Sequence, residues 1–215
     1  MLNKMKKLVL ILAVGGVCSL TTCTSDVYSP DACFTEDVLP IFVSNCAFSG
    51  CHDAVSHEEG YDLTTYEGIM KGITPKHPQQ SEIYREISGA NPSMPESPYP
   101  KLSKKDLNTI KIWIKMGAPN SSNCRLCDTV DFTYSTRVKK TMDTWCVGCH
   151  TGASAGAGLD LTTYTGVAAA VTGNRLVGSL NHTAGFSPMP KNAGKISQCD
   201  IDAIERWVNA GYPNN

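Results

Sequence analysis

A mainly α-helical chain built as two small tandem units is what the sequence predicts, on three observations. Apolar residues recur at helical spacing, for example Leu107, Ile110, Trp113 and Ile114, and later Ile201, Ile204, Trp207 and Val208. The string Leu63-Thr64-Thr65-Tyr66-Glu67-Gly68 returns 98 residues on as Leu161-Thr162-Thr163-Tyr164-Thr165-Gly166, the same offset that separates His52 from His150. Aromatic residues make up only 7% of the 215, too few to fill the cores of two units of under about a hundred residues, so a large apolar group is expected inside each.

The order of elements supports the duplication. In the first copy Val38, Ile41 and Phe42 place a short helix over 34–45, a second helix is expected near Ser81 to Ile87, and Asn91-Pro92-Ser93-Met94-Pro95 is too proline-rich to be helical. Ser103, with Asp106 three residues on, has the character of an N-cap for a last helix that stops at Gly117-Ala118-Pro119. In the second copy Val138, Thr141 or Met142, and Trp145 lead into the corresponding motif, Pro188-Met189-Pro190 answers the first Met-Pro loop, and Ser197 to Gly211 repeats the closing helix. A period near a hundred residues makes each copy a domain rather than a solenoid repeat. The expected units are 33–120 and 127–215, joined by a polar connection over 121–126.

Lys4, Lys6 and Lys7 precede an apolar run from Leu8 to Val17, the charge order of an export signal and too short to span a bilayer. Leu20-Thr21-Thr22-Cys23 resembles the lipobox of bacterial lipoproteins, with Thr22 where a smaller residue is usual. That resemblance implies removal of residues 1–22, a lipid on Cys23 and a polar linker over 23–32. The expectation is an exported chain, periplasmic or anchored to the outer membrane of a Gram-negative bacterium. A net charge of −1 and the lack of basic-aromatic runs exclude nucleic acid as an expected partner.

The chemistry is carried by Cys146-Val147-Gly148-Cys149-His150 and by the wider Cys46-Ala47-Phe48-Ser49-Gly50-Cys51-His52. In C-x-x-C-H two thiols can add across haem vinyl groups as thioethers while the adjoining imidazole reaches the iron. A zinc site would need two further ligands at suitable spacing, and a redox dithiol needs no adjacent histidine. The duplication strengthens the wide motif, whose two extra residues would have to loop outward. For the sixth iron position Met94 and Met189 stand at corresponding places, and a thioether there would raise the reduction potential; the alternative is that they fill gaps in the core. His57, His77 and His182 could also ligate, but none has a counterpart in the other copy. Tyr66 and Tyr164 could serve a haem propionate or close the core, and Trp113 and Trp207 are expected in the core.

A helix ending in Cys-x-x-Cys-His, a Met-Pro loop and a closing helix resemble class I cytochrome c. The Leu-Thr-Thr-Tyr string and the endings Trp113-Ile114 to Pro119-Asn120 and Trp207-Val208 to Pro213-Asn214 are similar to the planctomycete-type cytochrome c domain. The resemblance implies two domains, each a few helices wrapped around a covalently attached haem c. It implies thioethers at Cys46, Cys51, Cys146 and Cys149, proximal His52 and His150, and distal Met94 and Met189.

Of ten cysteines, Cys33, Cys124, Cys127 and Cys199 remain after haem, signal and anchor. An even remainder in an exported chain suggests two disulfides. The domain-local pairs Cys33–Cys124 and Cys127–Cys199 are expected, with a Cys124–Cys127 bridge or a cysteine-bound metal as alternatives. The function expected is an electron carrier of the envelope, not an enzyme, working with redox partner proteins. A dihaem peroxidase and a haem-stabilised docking module are the alternatives.

Overall fold

The computed structural model describes residues 32–152 and 155–215; the signal segment and Cys23 lie outside them. The described residues form helices and turns with no strand, and no helix among them is long and apolar enough to cross a membrane. In the first half a π-helical turn, Phe34–Val38, leads into α1 (Leu39–Asn45), followed by α2 (Tyr66–Met70), α3 (Glu82–Ile87) and α4 (Lys104–Lys115). The second half repeats this as Tyr134–Val138, α5 (Lys139–Trp145), α6 (Tyr164–Val171), α7 (Arg175–Leu180) and α8 (Gln198–Asn209).

Each half has its own apolar cluster. One is built on Phe34, Val38, Phe42, Ile69, Ile110 and Trp113, and the other on Tyr134, Val138, Met142, Val167, Ile204 and Trp207. Helices as short as α2 or α3 are marginal alone; α2 is held by the core and by its Thr65 cap, and α3 by the burial of Ile83, Tyr84 and Ile87.

The closing helices show the local chemistry twice. Ser103 Oγ accepts from the Asp106 N–H at 3.1 Å, and Ser197 Oγ does the same for Asp200; such caps contribute about 1 kcal/mol each. At the other end Gly117 and Gly211 take positive φ of 99° and 87°. Their N–H groups reach Ile114 O and Val208 O, while the next residues, Ala118 and Tyr212, donate back to Trp113 O and Trp207 O, all at 2.9 Å. This is a Schellman stop, which favours glycine because a Cβ resists the left-handed conformation. The chain then folds over the tryptophans, whose Nε1–H groups donate to Pro119 O and Pro213 O at 2.9 Å.

Tyr66 and Tyr164 close the cores. Their hydroxyls donate to Ala118 O at 2.8 Å and Tyr212 O at 2.9 Å, and both rings pack edge-on against a neighbouring aromatic, Phe34 or Tyr134.

The structure joins Cys33 to Cys124 and Cys127 to Cys199. Residues just after the first closing helix dock on the start of their own half. Ser121 receives the Phe34 and Thr35 N–H groups at 3.0 and 3.1 Å, and Arg125 pairs with Glu36 and Asp37 at 3.0 and 2.8 Å. Asn215 makes the matching contacts with Tyr134 and Ser135. The two halves also meet directly, α1 against α5.

Candidate haem sites

Each cysteine-histidine motif begins where a helix ends. The last turn of α1 runs into Cys46, whose N–H donates to Phe42 O at 2.9 Å, as Cys146 donates to Met142 O. The Leu-Thr-Thr-Tyr string then fastens the histidines. Leu63 and Leu161 donate their N–H groups to His52 O and His150 O, both at 2.9 Å. Asp62 and Asp160 each hold the first threonine of the string, Thr64 or Thr162, by its hydroxyl at 2.6 Å and by its N–H, and Thr65 and Thr163 cap α2 and α6. Gly68 and Gly166 are small of necessity: a Cβ there would stand 1.8 and 1.6 Å from the carbonyls of Asp62 and Asp160.

The histidine rings are oriented by backbone. His52 Nδ1 lies 3.0 Å from Glu58 O, and His150 Nδ1 lies 3.3 Å from Leu159 O. A proton held at Nδ1 by a carbonyl leaves Nε2 as the basic nitrogen available to a metal.

Cys46, Cys51, His52 and Met94 line one cavity of about 590 Å³, and Cys146, Cys149, His150 and Met189 line another of about 700 Å³. Both volumes suit a cofactor-sized occupant. The methionines are positioned alike, since Met94 N–H donates to Glu86 O of α3 at 3.0 Å and Met189 N–H to Ser179 O of α7 at 3.1 Å.

Burial, reinforced by neighbouring Cys51, pushes the Cys46 thiol up to about 12. Burial, with Cys149 and Asp143 nearby, does the same to Cys146, also to about 12. The thiol pair, the imidazole presenting Nε2, the thioether side chain and the apolar walls fit a c-type haem.

The other histidines stand elsewhere. His57 is exposed and lies 4.0 Å from the Asp62 carboxylate, His77 is exposed, and neither lines either cavity. His182 places Nε2 3.1 Å from Met189 O, so it braces the Met-Pro loop.

Two features of the cavities went unread in the sequence. The first is lined by Glu58, Glu59, Glu82, Glu86 and Glu96; the second has Arg175 and Lys191 and no carboxylate among its described lining residues. The glutamates come from three separate segments, so no charge run signals them. Phe48 and Tyr99 line both cavities, and an aromatic inside the wide motif is the only hint of that.

No curated protein and no solved structure matches the chain. Residues 49–97, the span from the wide motif's second half through the Leu-Thr-Thr-Tyr string to the Met94 loop, match the family model Planctomycete cytochrome C, which supports a cytochrome c-like family with covalent haem and electron transfer as its business.

Proposed function

We propose that the protein is a dihaem c-type cytochrome that carries electrons in the cell envelope through two His/Met-ligated haems. One observation carries this reading: a thiol pair, an imidazole held at Nδ1 and a Met-Pro loop converge on one cofactor-sized cavity, and do so twice. Bound haem supplies reversible one-electron chemistry at its iron. In this reading Cys46, Cys51, Cys146 and Cys149 hold the two groups covalently. His52 and His150 would offer Nε2 to the iron, and Met94 and Met189 would offer their thioether sulfurs. A histidine and a methionine directed at each iron would leave peroxide no coordination place, which favours a carrier over a dihaem peroxidase.

Two disulfides fit a chain that matures in an oxidising compartment. Together with the export signal and the lipobox-like Leu20 to Cys23 they support a lipoprotein in the periplasm or on the outer membrane, tethered by Cys23 and exchanging electrons with redox proteins there. The tandem domains are proposed as 33–120 and 127–215, each with its own haem.

The test is expression of the exported chain with a c-haem maturation system, followed by a haem count and a visible spectrum. Two covalent haems with low-spin spectra are expected. High-spin iron that reacts with peroxide would overturn the carrier reading, and absence of haem would overturn the cytochrome reading as a whole.

A further inference from the structure

Hydrogen bonds locate the residues by which the first motif exceeds the second. Ala47 N–H donates to Phe42 O at 3.2 Å and Val147 N–H to Met142 O at 3.0 Å, so the motifs enter in one frame. His52 N–H and His150 N–H then return to Cys46 O and Cys146 O at 3.3 and 2.9 Å, and the two frames have slipped by two residues. The excess falls between Ala47 and Cys51, where Phe48 and Ser49 stand.

Phe48 and Ser49 do more than bridge two cysteines. Both line the cavity of the second half, as do Val43, Ala47 and Tyr99 of the first. The Phe48 and Tyr99 rings are stacked, with centroids 4.1 Å apart and planes 12° apart, and this pair lines both cavities. The arrangement is pinned around its edge. Ser44 Oγ donates to Thr144 O at 2.8 Å, Asn192 Nδ2 donates to Asp53 Oδ1 at 3.3 Å, and Gly148 sits so close to α1 that a Cβ would lie 2.0 Å from Ser44 O.

We propose that Phe48, Ser49 and Tyr99 belong to the second haem site, so that this site is composite and incomplete without the first domain. The inference rests on the dihaem reading above. The extra length of the wide motif then serves the neighbouring haem as well as its own: Ser49 lines the second cavity alone, and the Phe48–Tyr99 stack is a wall common to both. An aromatic wall excludes water, and a drier site disfavours the more highly charged ferric state, which raises the potential of the second haem.

The experiment uses the full-length, haem-loaded protein and two changes: deletion of Phe48 and Ser49, which leaves Cys46-Ala47-Gly50-Cys51-His52 at the usual spacing, and the milder Phe48→Ala. The second haem is identified as the redox step that Met189→Ala moves. Both variants are expected to retain two covalent haems, to shift the second-site step downward, and to bind added imidazole at that iron several-fold more tightly than the parent protein. If the deletion prevents folding, Phe48→Ala carries the same readouts. A second-site potential and imidazole affinity unmoved in the haem-loaded variants would overturn the composite site and leave the dihaem reading standing. A parent protein that takes up no haem would overturn both.

Discussion

Ser44, in the last turn of α1, donates its hydroxyl to the carbonyl of Thr144, in the last turn of α5, at 2.8 Å. The two helices that end in the cysteine-histidine motifs are thereby tied to each other, and Gly148 of the second motif packs into the same contact. Gly148→Val should push α1 and α5 apart at a cost of about 1–3 kcal/mol in unfolding free energy, the usual penalty for overpacking. Gly194→Ala, at a position where a Cβ meets nothing within 4 Å, is the control and should be neutral. Denaturant titration of the haem-loaded proteins compares them.

Met189→Ala should leave haem covalently attached, because the thioethers do not depend on the sixth ligand, while lowering that haem's potential and opening its iron to added ligands. His150→Ala should damage iron coordination further. The checks are a visible spectrum and a redox titration. An unchanged spectrum and potential in the Met189 variant would move the ligand role to another residue, His182 first, since its ring already lies against the Met189 carbonyl.

Two resolvable redox steps are expected, with the first site lower. Negative charge around a haem stabilises the ferric form, and five glutamates line the first cavity where the second has Arg175 and Lys191. Glu82→Gln with Glu86→Gln should raise the first-site step and leave the other nearly in place. The Tyr61 hydroxyl donates to the Glu82 carboxylate at 2.8 Å, and the side-chain amide introduced by Glu82→Gln still offers it an oxygen acceptor. Because these carboxylates are exposed, the shift should shrink in molar salt. Potentiometry at low and high ionic strength reads both effects.

Cys127→Ser with Cys199→Ser removes the bridge across 72 residues of the second half. A loss of about 2–5 kcal/mol is expected. Its effect should fall on the second core while the haem count stays at two, as measured by denaturation followed at the haem band and by far-UV circular dichroism.

Much of this molecule is written locally in its sequence. The caps at Ser103 and Ser197 and the stops at Gly117 and Gly211 are decided within one helical turn, so a reading of adjacent residues reaches them. The repeat is also legible, because offsets between identical strings need no coordinates. Other matters depend on residues far apart in the chain. Four cysteines allow three pairings by arithmetic alone, and the choice of Cys33 with Cys124 and Cys127 with Cys199 follows from how each half folds back on its own start. Whether Tyr66 and Tyr164 face a cofactor or the core is decided by their hydroxyls, which lie on Ala118 O and Tyr212 O. The glutamates around the first cavity and the Phe48–Tyr99 wall become visible only in three dimensions. Electrostatic surroundings and shared walls are sums over segments that the backbone brings together, and a linear pattern carries no record of that sum.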